Sequence, residues 1–493
     1  MPSILAGRSG IIILVLFVLV ALGGQILFLP YIELAHGLGY DGSWYHQPSL
    51  TLFGKVDNYH LFRIFPSKIA FFIRDLLGLD EKIGTTVRIF QVENLVFVGL
   101  TIWLLFKISA FKSYTGLKQM LFFIFCLFNF SVFKEFAFNP VMTDAMGFFL
   151  STLIYWLHLK KSTFWLILAL LAAMFCMPII PVFYLLWFLL ESLEETTIEQ
   201  TELPVFQRYF PLIPVGVGLA FVGISAIIVF YFKRISVYTF PDEINLFLFP
   251  FTLLCNFLAL WGIISRFKGF FLKGFFVAVK PFQVLKNKWF LILLAFLIFQ
   301  NRAAHINNHF MIGYSGLFVG YPIILNLKPL IGIVDNLNFY GPVMFLFLIS
   351  FFRQPSGSRK PMQQDFLFLI FFLIILKPEA RHSLFLIPLL SATLLDSLPV
   401  HLINIRFTGL VAVLAILFSR FWYPTHWAHF PPPHLLFSPE TDQKIYQEFP
   451  VQHYFMFQGP MMAHGPYFVF LAINLLVGYL LWKEFSRVRT ISD

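Results

Sequence analysis

Asp41 is a residue whose type and surroundings could support acid–base chemistry. It stands in the segment GYDGSWY at residues 39–45, where flanking glycines allow turns that can aim a carboxylate at a substrate. A carboxylate at a lipid–water boundary can take a proton from an acceptor hydroxyl. Trp44 and Tyr45 can stack on a sugar ring or lie in the aromatic belt of a membrane. The structural alternative for Asp41 is to cap a turn or a helix.

A second acid, Asp144, stands in the segment NPVMTDAMG at residues 139–147. Either Thr143 or Asp144 could cap the helix that begins there. The functional alternative is that Asp144 faces the same cavity as Asp41, because carboxylates at a membrane edge are rare and usually functional. Lys134 and Glu135, one turn earlier, are expected to pair with each other.

Cationic side chains at two other turns suit an anionic partner. Arg63 has a planar guanidinium that matches phosphate oxygens, although it could instead reach lipid headgroups. Lys377, Arg381 and His382 form a second group with the chemistry of a phosphate clamp, unless Arg381 merely pairs with Glu379. The candidate substrate-binding residues are Trp44, Tyr45, His46, His60, Arg63, Lys377, Arg381 and His382.

Composition places these residues in a membrane protein. Of the 493 residues, 59% are hydrophobic and only 12% are charged, and the mean hydropathy is +0.79. A soluble domain has about 25% charged residues, so soluble, disordered and coiled-coil classes are excluded. The long unbroken apolar runs differ from the alternating pattern of an outer-membrane barrel. The sequence therefore predicts an all-α polytopic membrane protein.

The apolar runs predict about 11–14 membrane-spanning helices, since a span needs about 20 mostly apolar residues. The candidates centre on residues 10–30, 87–106, 118–136, 141–158, 163–176, 179–190, 211–232, 244–265, 289–304, 338–352, 364–377, 382–397, 405–421 and 467–482. The net charge of +10 reflects basic residues between these runs, which favours contact with anionic lipid rather than nucleic acid. Their distribution predicts that both termini lie in the cytoplasm.

No linker divides the chain, so residues 1–493 are interpreted as a single transmembrane domain with two long outer loops, 31–86 and 422–466. The first loop carries Ile69, Phe72, Ile73 and Leu76 at helical spacing, which predicts an amphipathic helix on the outer membrane surface. The sequence has no P-loop, HExxH or GxSxG motif and no Cys/His spacing typical of a metal site. No metal ligands are therefore assigned.

These motifs resemble those of bacterial polytopic glycosyltransferases of the GT-C superfamily. The resemblance rests on residues 39–45, on Arg63-Ile64-Phe65-Pro66, on residues 139–145 and on residues 379–382. It implies a GT-C-like fold, a polyprenyl-phosphate-linked sugar as donor, and transfer on the outer, periplasmic face to a glycan, lipid or protein acceptor. It also implies that Asp41 acts as the base and that Arg63 and Arg381 hold the lipid phosphate.

The first loop lacks the acidic pair that many members of the superfamily carry, because Gly42 follows Asp41. The requirement for a divalent cation therefore stays open, and Asp41 is the only well-matched acid of that loop. Two other functions are compatible with the sequence. One is a transporter or flippase for a lipid-linked glycan, which would carry charged residues within its spans. The other is a non-catalytic membrane subunit, in which Asp41, Asp144 and Arg381 would face unrelated surfaces.

Overall fold

The computed structural model describes residues 8–28, 42–51, 63–196, 287–305, 330–353, 380–422 and 464–487, with scattered positions elsewhere. Within these ranges the regular structure is helical and contains no strand. In chain order the helices are α1 (Arg8–Phe28), α2 (Gly42–Leu50), α3 (Ile64–Leu77), α4 (Ile83–Phe111), α5 (Gly116–Leu127), α6 (Ser131–Phe138), α7 (Asp144–Leu159), α8 (Thr163–Met174), α9 (Ile179–Thr196), α10 (Lys288–His305), α11 (Ile331–Tyr340), α12 (Pro342–Arg353), α13 (Ile387–Ser397), α14 (Ile405–Ser419) and α15 (His464–Arg487). A 3-10 segment, Ala380–Leu386, leads into α13.

Three described helices are long and apolar enough to cross a membrane: Ser9–Phe28 of α1, Ile83–Phe111 of α4 and Tyr467–Ser486 of α15. The bent pair α5 and α6 makes a fourth if it is counted as one span. Six shorter apolar helices accompany them. The described residues are thus all-helical and consistent with an all-α membrane protein. The total of 11–14 spans stays a prediction, since the candidates at 211–232, 244–265 and 364–377 fall largely or wholly outside the described residues.

The long helices carry apolar side chains on all of their faces, so they have no polar face that water must solvate. In α1, Val18 and Leu22 are buried, whereas Val20 and Leu27 on other faces are about 70% exposed. A helix that is hydrophobic all round suits a lipid environment, where the exposed faces contact acyl chains. The buried faces join one apolar cluster that extends from Ile11 to Leu481.

The span expected at residues 118–136 is broken rather than straight. Helices α5 and α6 meet at an angle of 56°. Asn129 stabilises the break because its amide donates to the Cys126 carbonyl at 2.9 Å and its Oδ1 accepts from the Val132 backbone N–H at 3.1 Å. Freed backbone groups inside a membrane protein need such partners. The bend directs α6 toward the start of α7.

The span expected at residues 338–352 is also divided. Gly341 separates α11 from α12 with a positive φ of +56, a backbone conformation that favours glycine. A Cβ at this position would lie 2.8 Å from the Cβ of Phe418, so only glycine fits the approach of α14. Similarly, the span expected at 382–397 begins as a 3-10 segment.

The amphipathic helix predicted in the first loop is present as α3. Phe72 and Leu76 of the predicted apolar stripe are exposed, whereas Arg74 is buried and donates to the Leu50 carbonyl at 2.7 Å. Lys68 donates to the carbonyls of Pro48 and Thr51. The polar side of α3 is therefore bound to the end of α2. Phe72 and Leu76 are left outward, whereas Ile69 and Ile73 of the same stripe are partly buried against the apolar clusters.

The helix ends gather on two sides of the molecule. On one side Asp396, near the end of α13, binds Lys112 at 2.9 Å and Tyr114 at 2.7 Å, while His158 pairs with Glu191 at 2.7 Å. On the other side lie the starts of α3, α7 and the 3-10 segment. We call this second side the site end and the first the opposite end.

Candidate functional site

The turn before α7 is the centre of the site end. The amide of Asn94 donates to the carbonyls of Phe136 and Pro140, both at 3.0 Å, and so fixes the turn against α4. Thr143 occupies the N-cap position, but its side chain makes no capping hydrogen bond. Asp144 is the first residue of α7 and its exposed fraction is 0%. The positive end of the helix dipole favours a carboxylate there.

Arg63 reaches this turn through the start of α3. The Phe65 backbone N–H donates to the Phe175 carbonyl at 3.0 Å, which attaches the start of α3 to the turn between α8 and α9. The buried Arg63 guanidinium donates to the hydroxyl oxygen of Tyr45 at 3.2 Å. Tyr45 is itself 1% exposed, so the hydrogen bond orients the guanidinium in a region closed to solvent.

Cys176 connects Arg63 to Asp144. Its thiol donates to the Thr143 carbonyl at an Sγ–O distance of 3.5 Å. The thiol interacts electrostatically with Asp144, Arg63 and Glu93. Cys176 thus contacts the turn at Thr143, and charged groups from α7, the start of α3 and α4 act on its thiol.

Arg381 approaches the same turn from the 3-10 segment. Its Nη1 lies 4.0 Å from the sulfur of Met142. The preceding residue is firmly held: the Ala380 N–H donates to Asp335 at 3.0 Å, and the Tyr340 hydroxyl donates to the Ala380 carbonyl at 2.7 Å. Helix α11 thus sets the position of Arg381.

Glu135 completes the arrangement from α6. It accepts a hydrogen bond from the Ser131 hydroxyl at 2.8 Å and interacts electrostatically with Asp144, Arg381 and Asp335. The expected pair of Lys134 with Glu135 is wrong, because the Lys134 ammonium is buried without a hydrogen-bond partner in the part of the chain that the structure describes. We call the following residues the polar cluster: Tyr45, Arg63, Glu93, Glu135, Asp144, Cys176, Asp335, Tyr340 and Arg381.

Four of the sequence-predicted site residues, Tyr45, Arg63, Asp144 and Arg381, belong to the polar cluster. Trp44 is half exposed, and His46 bonds through Nδ1 to the hydroxyl of Thr86 at 2.9 Å.

Asp41, His60 and Lys377 lie outside the described residues, as does the side chain of His382. Gly42, which follows Asp41 in the chain, packs on the turn: a Cβ there would lie 3.2 Å from the Cβ of Val141.

Three carboxyl groups of the cluster, those of Glu93, Glu135 and Asp335, were not among the predicted site residues. Glu93 and Glu135 stand inside apolar runs, and an isolated acid in such a run is a usable signal of function. Asp335 precedes an apolar run, and the sequence alone does not show that α11 brings it to residue 380. Among the described residues, no group of three or more His, Cys, Asp or Glu side chains is placed to hold a metal ion.

The site thus combines buried carboxyl groups with guanidinium groups around one turn, a composition that can bind an anionic group beside a proton acceptor. No protein-family model matches the chain. Nor does any curated protein or solved structure match it. The arrangement of side chains at the site end is therefore the observation from which a function is inferred.

Proposed function

We propose that this protein is an integral-membrane glycosyltransferase of the GT-C type. It moves a sugar from a polyprenyl-phosphate donor to an acceptor hydroxyl on the outer face of a bacterial inner membrane. The observation that carries the proposal is the meeting of Arg63, Asp144 and Arg381 around the turn before α7. These residues are far apart in the sequence, and their types match the two needs of the reaction.

The first need is to offset charge on the leaving group. As the bond between the anomeric carbon and the phosphate oxygen breaks, its electron pair stays on the phosphate. Positioned cations stabilise the charge that develops there. Arg63, held by Tyr45, and Arg381, held through Ala380, are suited to this role because each has a fixed approach to the turn.

The second need is a proton acceptor. The acceptor oxygen forms the new bond to the anomeric carbon, and its proton passes to a carboxylate within hydrogen-bond reach. Asp41 is assigned this role by resemblance, and the buried Asp144 is the described carboxylate at the turn. In this mechanism Asp41 takes the proton and Asp144 orients the acceptor or the guanidinium groups.

The test compares single variants of the full chain expressed in a strain that lacks the native protein. Lipid-linked sugars extracted from that strain serve as the donor pool, and mass spectrometry follows the release of polyprenyl phosphate. We expect Asp41→Asn, Asp144→Asn and Arg381→Gln to reduce release by about 10²-fold or more, because each removes a charged group from the transition state. Asp75→Asn, at an exposed position of α3, is the matched control and should keep normal activity.

Full activity in Asp41→Asn would remove Asp41 from the mechanism. Full activity in all three variants would refute the assignment of the reaction to the polar cluster.

A transporter for a lipid-linked glycan is the second candidate, and Glu93 favours it. This carboxyl is 4% exposed, lies within α4, and has no hydrogen-bond partner for either oxygen among the described residues. Ionisable groups of this kind inside a span often bind protons or substrates in transporters. Movement of a lipid-linked glycan across proteoliposomes without a new glycosidic bond would favour this candidate. The non-catalytic alternative is less well supported, because Asp144 and Arg381 share one cluster.

A further inference from the structure

Arg420 anchors a second group of buried polar side chains, separate from Arg63 and Arg381. Arg420 follows the last residue of α14 and is 2% exposed. Its Nη2 donates to the Asn338 carbonyl at 3.1 Å. The amide of Asn474, on α15, donates to Oδ1 of Asn338 at 3.0 Å. Three helices, α11, α14 and α15, therefore meet through these three residues.

The Arg420 guanidinium is fixed in position. Its central carbon lies 4.7 Å from the ring centroid of Phe130 and 5.4 Å from that of Phe470. Its backbone adopts a left-handed conformation with φ +54, which is unfavourable for a side chain larger than glycine. Strained residues of this kind persist where the surrounding structure holds them, and they concentrate at functional sites.

Several hydrogen-bonding atoms of this group remain unused. Nη1 of Arg420, Nδ2 of Asn338 and Oδ1 of Asn474 are buried and have no hydrogen-bond partner among the described residues. Buried polar atoms in proteins are nearly always hydrogen-bonded, since an unmet one costs about 1–3 kcal/mol. The two donors, one of them charged, suit an oxyanion, and the remaining acceptor suits a hydroxyl next to it.

We propose that Arg420, Asn338 and Asn474 form a binding site for a phosphate group. Nη1 of Arg420 and Nδ2 of Asn338 donate hydrogen bonds to phosphate oxygens. Oδ1 of Asn474 accepts a hydrogen bond from a hydroxyl of the phosphate or of its substituent. The position of the site favours a phospholipid headgroup. Leu417, on the last turn of α14, is 50% exposed, and the half-exposed Trp422 lies just beyond Arg420. Aromatic and apolar residues in this order are typical of the headgroup level of a membrane.

The site is connected to the polar cluster but does not depend on the transfer reaction. Asp335 interacts electrostatically with Arg420 and with Glu135. A phosphate bound at Arg420 would therefore lie beside α11, the helix that positions Arg381. The inference would hold equally for a transporter.

The experiment measures thermal unfolding of the purified full-length chain in detergent while a ligand is titrated. Three probes are used: dioctanoyl phosphatidylglycerol, dioctanoylglycerol as the same lipid without phosphate, and inorganic phosphate. We expect a saturable rise in Tm with a phosphate-containing probe and none with dioctanoylglycerol. Saturation by phosphatidylglycerol alone identifies a lipid headgroup as the ligand, and saturation by inorganic phosphate identifies a soluble anion.

Arg420→Gln should weaken the binding of that probe by about tenfold or more, because a charge-assisted hydrogen bond is lost. Asn474→Asp keeps the shape of the side chain but adds a negative charge, so it should weaken the binding of the probe as well. If Arg420→Gln does not fold, the affinity of Asn474→Asp tests the proposal. Arg406→Gln, at the exposed start of α14, is the control and should bind normally. Unchanged affinity in Asn474→Asp, or an absence of saturable stabilisation in the unmutated chain, would overturn the proposal.

Discussion

Asp144 is the residue at which the two halves of the polar cluster meet. The Cys176 thiol interacts electrostatically with Asp144, Arg63 and Glu93. The Glu135 carboxyl interacts electrostatically with Asp144, Arg381 and Asp335. A buried carboxylate is costly unless cations, dipoles or hydrogen bonds offset its charge. The position of Asp144 in the first turn of α7, at the positive end of the helix dipole, contributes to that offset.

His46 gives a prediction about pH. Burial lowers the pKa of His46, and the charge of Arg74 lowers it further, while Glu81 has the opposite effect. The folded chain therefore binds this proton less readily than the unfolded chain, whose histidine pKa is about 6.5. Stability should fall as the pH drops through that value toward the lower folded pKa. Thermal unfolding at pH 7.5 and pH 5.5 measures the effect.

We expect Tm to fall less between these pH values in His46→Gln than in the unmutated chain. His401→Gln, at an exposed position, is the matched control and should keep the full acid sensitivity. An equal loss of Tm in His46→Gln and in the control would contradict the assignment to His46.

Breaks and close approaches between helices, rather than the helices themselves, position the polar cluster. The 56° bend between α5 and α6 brings Glu135 to the start of α7. Gly147 on α7 allows the 3-10 segment to approach, because a Cβ there would lie 2.7 Å from Cε1 of Phe385. The approach of the 3-10 segment, which carries Arg381, to α7 thus depends on a glycine whose packing role the sequence pattern does not indicate.

Gly147→Ala should force α7 and the 3-10 segment apart. We expect a loss of about 1–3 kcal/mol in unfolding free energy, the usual cost of overpacking, together with reduced transfer activity. Unfolding in a mixed detergent titration measures the first effect. Gly99→Ala in α4 is the control, since a Cβ there meets nothing within 4 Å and alanine favours the helix. Equal stability in the two variants would refute the close approach.

The apolar stripe of α3 leads to a prediction about its surroundings. Phe72 and Leu76 are exposed, whereas the basic side chains of α3 bond to the end of α2. An exposed apolar stripe of this kind suits the interface of a membrane. In a background without native cysteines, spin labels at positions 72 and 76 should be more accessible to oxygen than to a water-soluble nickel complex. A label at Asp75, also exposed, should show the reverse, and the same profile at all three positions would exclude interfacial docking.

At the scale of the whole molecule, the two sides formed by the helix ends have different chemistry. The opposite end carries exposed and half-exposed ion pairs, such as Lys112 with Asp396 and Arg406 with Glu484. The site end carries buried charged groups. Surface ion pairs contribute little to stability, whereas buried ionisable groups concentrate at functional sites.

The basic residues predict that the opposite end is cytoplasmic and the site end is periplasmic. A membrane-impermeant maleimide should therefore label Glu81→Cys in intact spheroplasts, and Thr115→Cys only after permeabilisation. Both positions are exposed, which makes them a matched pair. The reverse labelling pattern would place the polar cluster on the cytoplasmic face and would refute transfer on the outer face.

The sequence by itself determined that the chain is helical, and it predicted membrane spans, because long apolar runs can satisfy their backbone groups in lipid only as helices or closed barrels. It also indicated Arg63, Asp144 and Arg381, since charged residues beside apolar runs are conspicuous. Only the tertiary structure decided which groups meet, because Glu93, Glu135 and Asp335 reach the turn through long-range packing. The approaches at Gly147 and Gly341 control that packing and depend on partners far away in the sequence, whereas the bend at Asn129 is held by local hydrogen bonds.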